Sequence, residues 1–220
     1  YMKRFFSICI IAAIVCSGCF LFKSQEGIDS AEVLLKEGID NFNKGKYKKA
    51  LKSFEQIKDW YPFSKYVILA ELKIGDAHYH LEEYEDAIYA YEEFVELHPS
   101  NEAIPYALYQ IGRCHFDQIG AIDRDQTPTR AAYDAFRQLQ KQHPDSTYAE
   151  KSTDHINKCL KNLAGNEFYI AKYYYKSKRY KAALVRFKRL VTEYPDIGLH
   201  QEALAYIVKC ETSLAKLSQP

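Results

Sequence analysis

The stretch GDAHYHLEEYEDAIYAYEEFVELHP, Gly75 to Pro99, decides how the chain is read. Counting from Gly75, residues Ala87, Tyr91, Phe94 and Pro99 fall at offsets of 12, 16, 19 and 24. The same offsets lead from Gly38 to Ala50, Phe54, Ile57 and Pro62, and from Ala171 to Ala183, Phe187, Leu190 and Pro195. Each copy has small residues where two helices cross and larger apolar ones beside the crossing. A proline at the end cannot continue the second helix. One such hairpin cannot bury its own apolar face, but stacked copies can.

This is the skeleton of a tetratricopeptide (TPR) repeat. The expected fold is all-α, a TPR-like right-handed solenoid of about five helical hairpins. Working outward, Ser30 is the expected N-cap of a first helix running to about Phe42. Asn43 to Lys46 form the turn, and Tyr47 to Trp60 form the second helix. Repeat 2 follows 37 positions later, so the connecting WYPFSKY turn is longer than usual. Its aromatics are expected to cap the core between neighbours. In repeat 3 Gly112 and Ala132 lie 20 apart, so eight residues are inserted near residues 119–127. That segment carries Asp123-Arg124-Asp125, as a binding loop or as a self-capping loop held by its own ion pairs. Beyond Pro144, Ser146 can cap a further helix. Residues 147–177 read equally as one bent helix or as two meeting near Gly165. An amphipathic segment from Leu199 to Leu217 closes the stack. The domain reading is residues 30–144 for repeats 1–3 and 145–220 for repeats 4–5 with the capping helix.

The N-terminus is an address. Lys3 and Arg4 precede the apolar run Phe5 to Val15, interrupted only by Ser7, which is too short for the ~20 residues needed to span a bilayer. Residues 1–18 therefore read as a signal peptide. Ser17-Gly18-Cys19 resembles a bacterial lipobox, although Cys16 stands where that motif usually has leucine. The resemblance implies that Cys19 becomes the first mature residue and carries lipid, with residues 19–29 as tether. Phe20 in place of aspartate then favours the outer membrane. An ordinary signal peptide cut near Gly18 is the plainer alternative.

Composition narrows the function. The chain is 47% hydrophobic with 7 Pro and 9 Gly, enough for a continuous core and unlike a disordered chain. A net charge of +1 disfavours nucleic acid as partner. Once residues 1–18 are removed no C-x-x-C remains, and no phosphate loop, G-x-S-x-G or H-E-x-x-H is present, so no enzyme, metal centre or cofactor is expected. His78 and His80 point about 200° apart on a helix and cannot share a metal. Cys114, Cys159 and Cys210 lack zinc spacing; buried thiols are the expectation, with one disulfide the alternative.

At 100° per residue, two stripes run along each first helix. The glycine stripe packs on its own hairpin partner. The other is expected to face the concave groove: Leu72, Asp76 and Tyr79 in repeat 2, and Tyr106, Tyr109, Arg113 and Phe116 in repeat 3. Aromatics with one acid and one base suit a peptide segment, whereas contact with the next repeat is the structural alternative. The basic stretch from Lys172 to Arg189 reads mostly as a solvated face.

The pieces taken together resemble one family, the BamD (YfiO-type) lipoproteins of the outer-membrane β-barrel assembly machinery. They are the Ser-Gly-Cys lipobox, Tyr61-Pro62-Phe63, His98-Pro99 with Tyr106 and Gly112, and Asp123-Arg124-Asp125-Gln126 followed by Ala131-Ala132 and Phe136, then Pro144, Ser146 and Tyr148. A single TPR is found in many unrelated proteins; the insertion together with the lipobox is more specific. The resemblance implies a non-enzymatic, outer-membrane-anchored scaffold facing the periplasm. It would bind unfolded outer-membrane proteins, the barrel-inserting subunit and accessory lipoproteins, with Arg186 as a candidate contact for that subunit. The rival reading is a general TPR lipoprotein that coordinates cell-envelope or peptidoglycan-associated proteins.

Overall fold

The computed structural model describes residues 30–195 and 197–218. The signal peptide, the tether and Cys19 lie outside them. Nine helices and no strands occur among the described residues: α1 (Ala31–Asn43), α2 (Tyr47–Trp60), α3 (Val67–His80), α4 (Tyr84–Leu97), α5 (Ile104–Asp117), α6 (Thr127–Gln142), α7 (Thr147–Lys176), α8 (Tyr180–Glu193) and α9 (His200–Leu217). None is long and apolar enough to cross a membrane. Consecutive helices pack on one another throughout, so the chain is an all-α stack of antiparallel pairs. The hairpins are α1/α2, α3/α4, α5/α6 and α7/α8, with α9 laid on α8.

The repeated offsets become a repeated packing unit. Ala50, Ala87, Ala132 and Ala183 are fully buried, as are the rings of Phe54, Tyr91, Phe136 and Phe187 one turn later. The glycines serve those rings rather than the helix backbones. A Cβ on Gly38, Gly75 or Gly112 would lie 2.5, 2.6 or 2.5 Å from Phe54, Tyr91 or Phe136. Each glycine is a notch in the first helix that receives an aromatic edge from the second. In the last hairpin Ala171 takes the notch position, and Phe187 stacks on Tyr206 of α9 at 4.9 Å.

The caps at Ser30 and Ser146 form as expected, each hydroxyl accepting a backbone N–H from the first turn of its helix (Val33 and Ala149). Residues 147–176 are one helix of 30 residues. Its first half packs on α6 and its second on α8, so one rod serves two layers. Gly165 does not break it. A Cβ there would lie 3.2 Å from Ile122 of the inserted loop, so the glycine is where the loop rests. Asn162 and Asn166 hold that loop by donating to the carbonyls of Gly120 (3.2 Å) and Ile122 (2.6 Å). Gln126, buried, donates to the carbonyls of Ala121 and Arg124 and accepts from Thr129. The insertion is thus self-capping through amides; no ion pair of Asp123, Arg124 or Asp125 occurs among the described residues.

One expectation needs correction. In the WYPFSKY turn, Tyr61 and Tyr66 do pack on the first core. Trp60 and Phe63 do not cap it: Trp60 is 54% exposed and Phe63 wholly exposed. Residues 61 to 66 form an irregular run of turns that leaves Pro62, Phe63 and Lys65 exposed.

Candidate functional site

The α3 and α5 stripe residues are drawn into one band, much of it closed to solvent. Asp76 is buried. One of its carboxylate oxygens accepts hydrogen bonds from the hydroxyls of Tyr91 (2.7 Å) and Tyr106 (2.6 Å), and the other pairs with Lys73 Nζ at 2.7 Å. Gln110 donates to both tyrosine oxygens. This knot ties α3 and α4 to the next hairpin. Burial, and then the Asp76 charge, push the Tyr91 and Tyr106 phenols up from their usual range. Tyr109 is buried against Phe136, Tyr148 and His155, and Phe116 packs on Phe136 and His155. Burial holds His155 below the usual histidine value. Leu72 is half-buried against the same core. Contact with the next repeat is therefore what Asp76, Tyr106, Tyr109 and Phe116 do here.

Tyr79, Arg113 and Asp117 remain partly open. The Tyr79 hydroxyl donates to Asp117 and accepts from Arg113, and the guanidinium lies over the Tyr79 ring at 5.3 Å. Desolvation, followed by the bond to Asp117, raises the Tyr79 pKa. Arg113 Nε is buried with no hydrogen-bond acceptor among the described residues.

A second surface is the more accessible one. A trough of about 450 Å³ runs along α7, walled by Phe168, Tyr169, Lys172 and Tyr173, with Ile122 of the inserted loop and Leu199 also lining it. Tyr169 and Tyr173 are exposed. The sequence signal was available in the spacing 165, 168, 169, 172, 173, 176, which is one helical stripe. Reading residues 147–177 for helix boundaries and for basic charge does not bring this stripe out.

Arg186 is engaged within the fold. Its Nη1 donates to both oxygens of buried Glu167 (2.9 and 3.0 Å), Arg189 donates to the same carboxylate at 3.0 Å, and the Arg186 guanidinium lies over Tyr174. Elsewhere in the basic stretch Lys172 and Lys188 pair with Glu202 and Glu211 of α9. At the α3–α4 turn His78 Nδ1 bonds Glu83 at 2.8 Å, and with Asp86 their ligand atoms lie within 4.8 Å of one another. His80 turns away and stacks on Tyr47. Cys114, Cys159 and Cys210 are free and buried. Burial pushes the Cys114 thiol up to about 12 and Cys159 to about 11, which makes them poor nucleophiles.

Stacked hairpins of this kind define a helical-repeat protein of the TPR type. The family model "YfiO: Outer membrane lipoprotein" matches residues 28–218. The chain belongs to this YfiO (BamD) family. It is 32% identical over 201 residues to an outer membrane protein assembly factor BamD of Neisseria gonorrhoeae, covering 87% of this chain and 74% of that one. It is 30% identical over 223 residues to the BamD of Rickettsia prowazekii, covering 93% and 89%. Among solved structures it is similar to a MamA protein (16% identity, TM-score 0.43, covering 84% of this chain and 88% of that one). A TPR protein of Thermus thermophilus is also similar (15% identity, TM-score 0.44, covering 84% and 100%). The fold assignment rests on the helices themselves.

Proposed function

We propose that this protein is a non-enzymatic scaffold for outer membrane protein assembly, anchored to the outer membrane by lipid on Cys19 and facing the periplasm. The observation that carries the reading is the family match across nearly every described residue, with curated relatives named as outer membrane protein assembly factors. The mechanism is binding. The repeats present a long, preformed surface with little ordering cost, which suits capture of an extended chain. The α7 trough, with Tyr169 and Tyr173 over lysine-flanked apolar walls, is the better-formed seat for an unfolded outer-membrane segment. The Tyr79–Arg113–Asp117 group is the accessible remnant of the N-terminal stripe. The α8–α9 end is the docking face for a barrel-inserting subunit. Arg186 serves there by shaping the face through Glu167, since its charge is already satisfied.

Purification from detergent-solubilised envelopes tests this. A large β-barrel protein should co-purify; recovery of peptidoglycan-associated proteins alone would support the general envelope coordinator instead. Photo-crosslinkers at Tyr173 and Tyr79 separate the two seats. Adducts with nascent outer-membrane proteins at Tyr79 alone would move the seat to the N-terminal half. Metabolic palmitate labelling should vanish in Cys19→Ala; unchanged labelling refutes the anchor.

A further inference from the structure

We infer that the edge of the first two hairpins carrying Trp60 and Phe63 is a membrane-contacting edge, seated on the phospholipid surface from which the chain enters the fold. The inference rests on the lipid-anchor reading only for how the edge reaches the bilayer. Helices joined by turns this short alternate in direction. The start of α1, the end of α2, the start of α3 and the end of α4 therefore share one edge. Six exposed large apolar side chains gather there: Val33, Trp60, Phe63, Ile68, Leu69 and Leu97. Each lies within three residues of a helix end on that edge. Burying any of them against the core is prevented by the buried residues beside them, Leu34, Ile57 and Ala70, which already fill it.

The patch is one-sided. The opposite edge of the same hairpins is Asn43-Lys44-Gly45-Lys46 and Glu82-Glu83, polar and charged. Further along the same edge, the α6–α7 turn is His143-Pro144-Asp145-Ser146, again polar. Tryptophan and phenylalanine at a turn with an exposed lysine, Lys65, are the residue types that settle at a membrane–water interface. The chain outside the described residues supplies the placement. Only ten residues, 20–29, lie between Cys19 and Ser30. Fully extended they reach at most about 40 Å. Ser30 opens α1 at this same edge, so an anchored chain keeps this edge within about 40 Å of the bilayer.

Trp60 is the single tryptophan, so its fluorescence reports this edge alone. The full-length processed protein and its Cys19→Ala variant are mixed with vesicles of phosphatidylethanolamine and phosphatidylglycerol carrying brominated acyl chains. The expected result is a blue shift and bromolipid quenching of Trp60 in the lipidated protein, with the quenching lost in Phe63→Ser. Because Phe63 is wholly exposed, that substitution leaves the fold intact, as an unchanged circular dichroism melt will show. If the lipidated protein sediments with vesicles, Cys19→Ala does not, and Trp60 is unshifted and unquenched, the anchor stands and the edge proposal falls. If both proteins sediment and both are quenched, the edge binds the bilayer by itself and the proposal stands independently of the anchor. A Trp60 shift that needs an added protein and never shows bromolipid quenching makes the edge a protein interface and overturns the proposal.

Discussion

Asp76 and Glu167 are both buried carboxylates at helix junctions, yet they are neutralised in opposite ways. Asp76 on α3 takes two tyrosine hydroxyls, one from its own hairpin and one from the next, with Lys73 beside it. Glu167 on α7 takes two arginines, both from α8. The first arrangement couples repeats through groups that salt does not screen. The second joins the two helices of one hairpin through arginine side chains that remain 31% and 43% exposed. The N-terminal half is thus locked from inside, and the C-terminal half is clasped from its surface.

The largest expected effect tests the lock. Asp76→Ala orphans the buried Tyr91 hydroxyl and frees Tyr106 and Lys73, and should cost about 3 kcal/mol. Urea unfolding would show a lower midpoint, with only the Lys73 part of the deficit responding to salt. A smaller loss, about 1–2 kcal/mol, is expected for Arg186→Ala, because Arg189 still reaches Glu167 and the pair is partly solvent-screened. Its deficit should shrink as sodium chloride is raised; a salt-independent deficit equal to that of Asp76→Ala would erase the distinction.

Alkali sharpens the contrast further. The folded Tyr91 and Tyr106 pKa values are raised, so the unfolded chain loses protons first. The stability they contribute is intact below 10.0, the ordinary tyrosine value, and is lost as pH rises above it. Native-state hydrogen exchange above that pH should open α3–α5 before α7–α9, and Tyr91→Phe should flatten the response. The smallest effect concerns the turns, where the halves are alike. Glu82 and Lys178 hold positive φ of 61° and 60°, the conformation Gly45 adopts at 69° in the first hairpin. Glu82→Gly and Lys178→Gly should each stabilise by about 0.5 kcal/mol, the relieved strain being partly offset by unfolded-state entropy. Unequal gains would mean that the two turns are not equivalent.

The hairpin skeleton was legible because each unit is local. Gly75, Ala87, Tyr91 and Phe94 meet within one pair of helices, so their spacing carries the geometry. Even the eight-residue insertion left the offsets intact once it was set aside, with Gly112 against Phe136 as Gly75 is against Tyr91. What depended on distant partners was not legible. Gly165 left one bent helix and two helices equally open because its reason for being glycine, Ile122, lies 43 positions earlier. Asp76 read as a groove acid because Tyr106, which buries it, belongs to the next repeat. Phe63 looked like a cap because nothing local distinguishes an aromatic that turns in from one that turns out.

The unbroken α7 has a consequence for how this protein can change over time. Loops between the other layers absorb extra residues, as residues 119–127 do with eight. A 30-residue rod shared by two layers absorbs none. Deleting one residue from its middle would swing everything downstream through about 100° and draw it in by about 1.5 Å. The phase between the two ends of the molecule is therefore a quantised property, protected from drift by the pitch of a single helix.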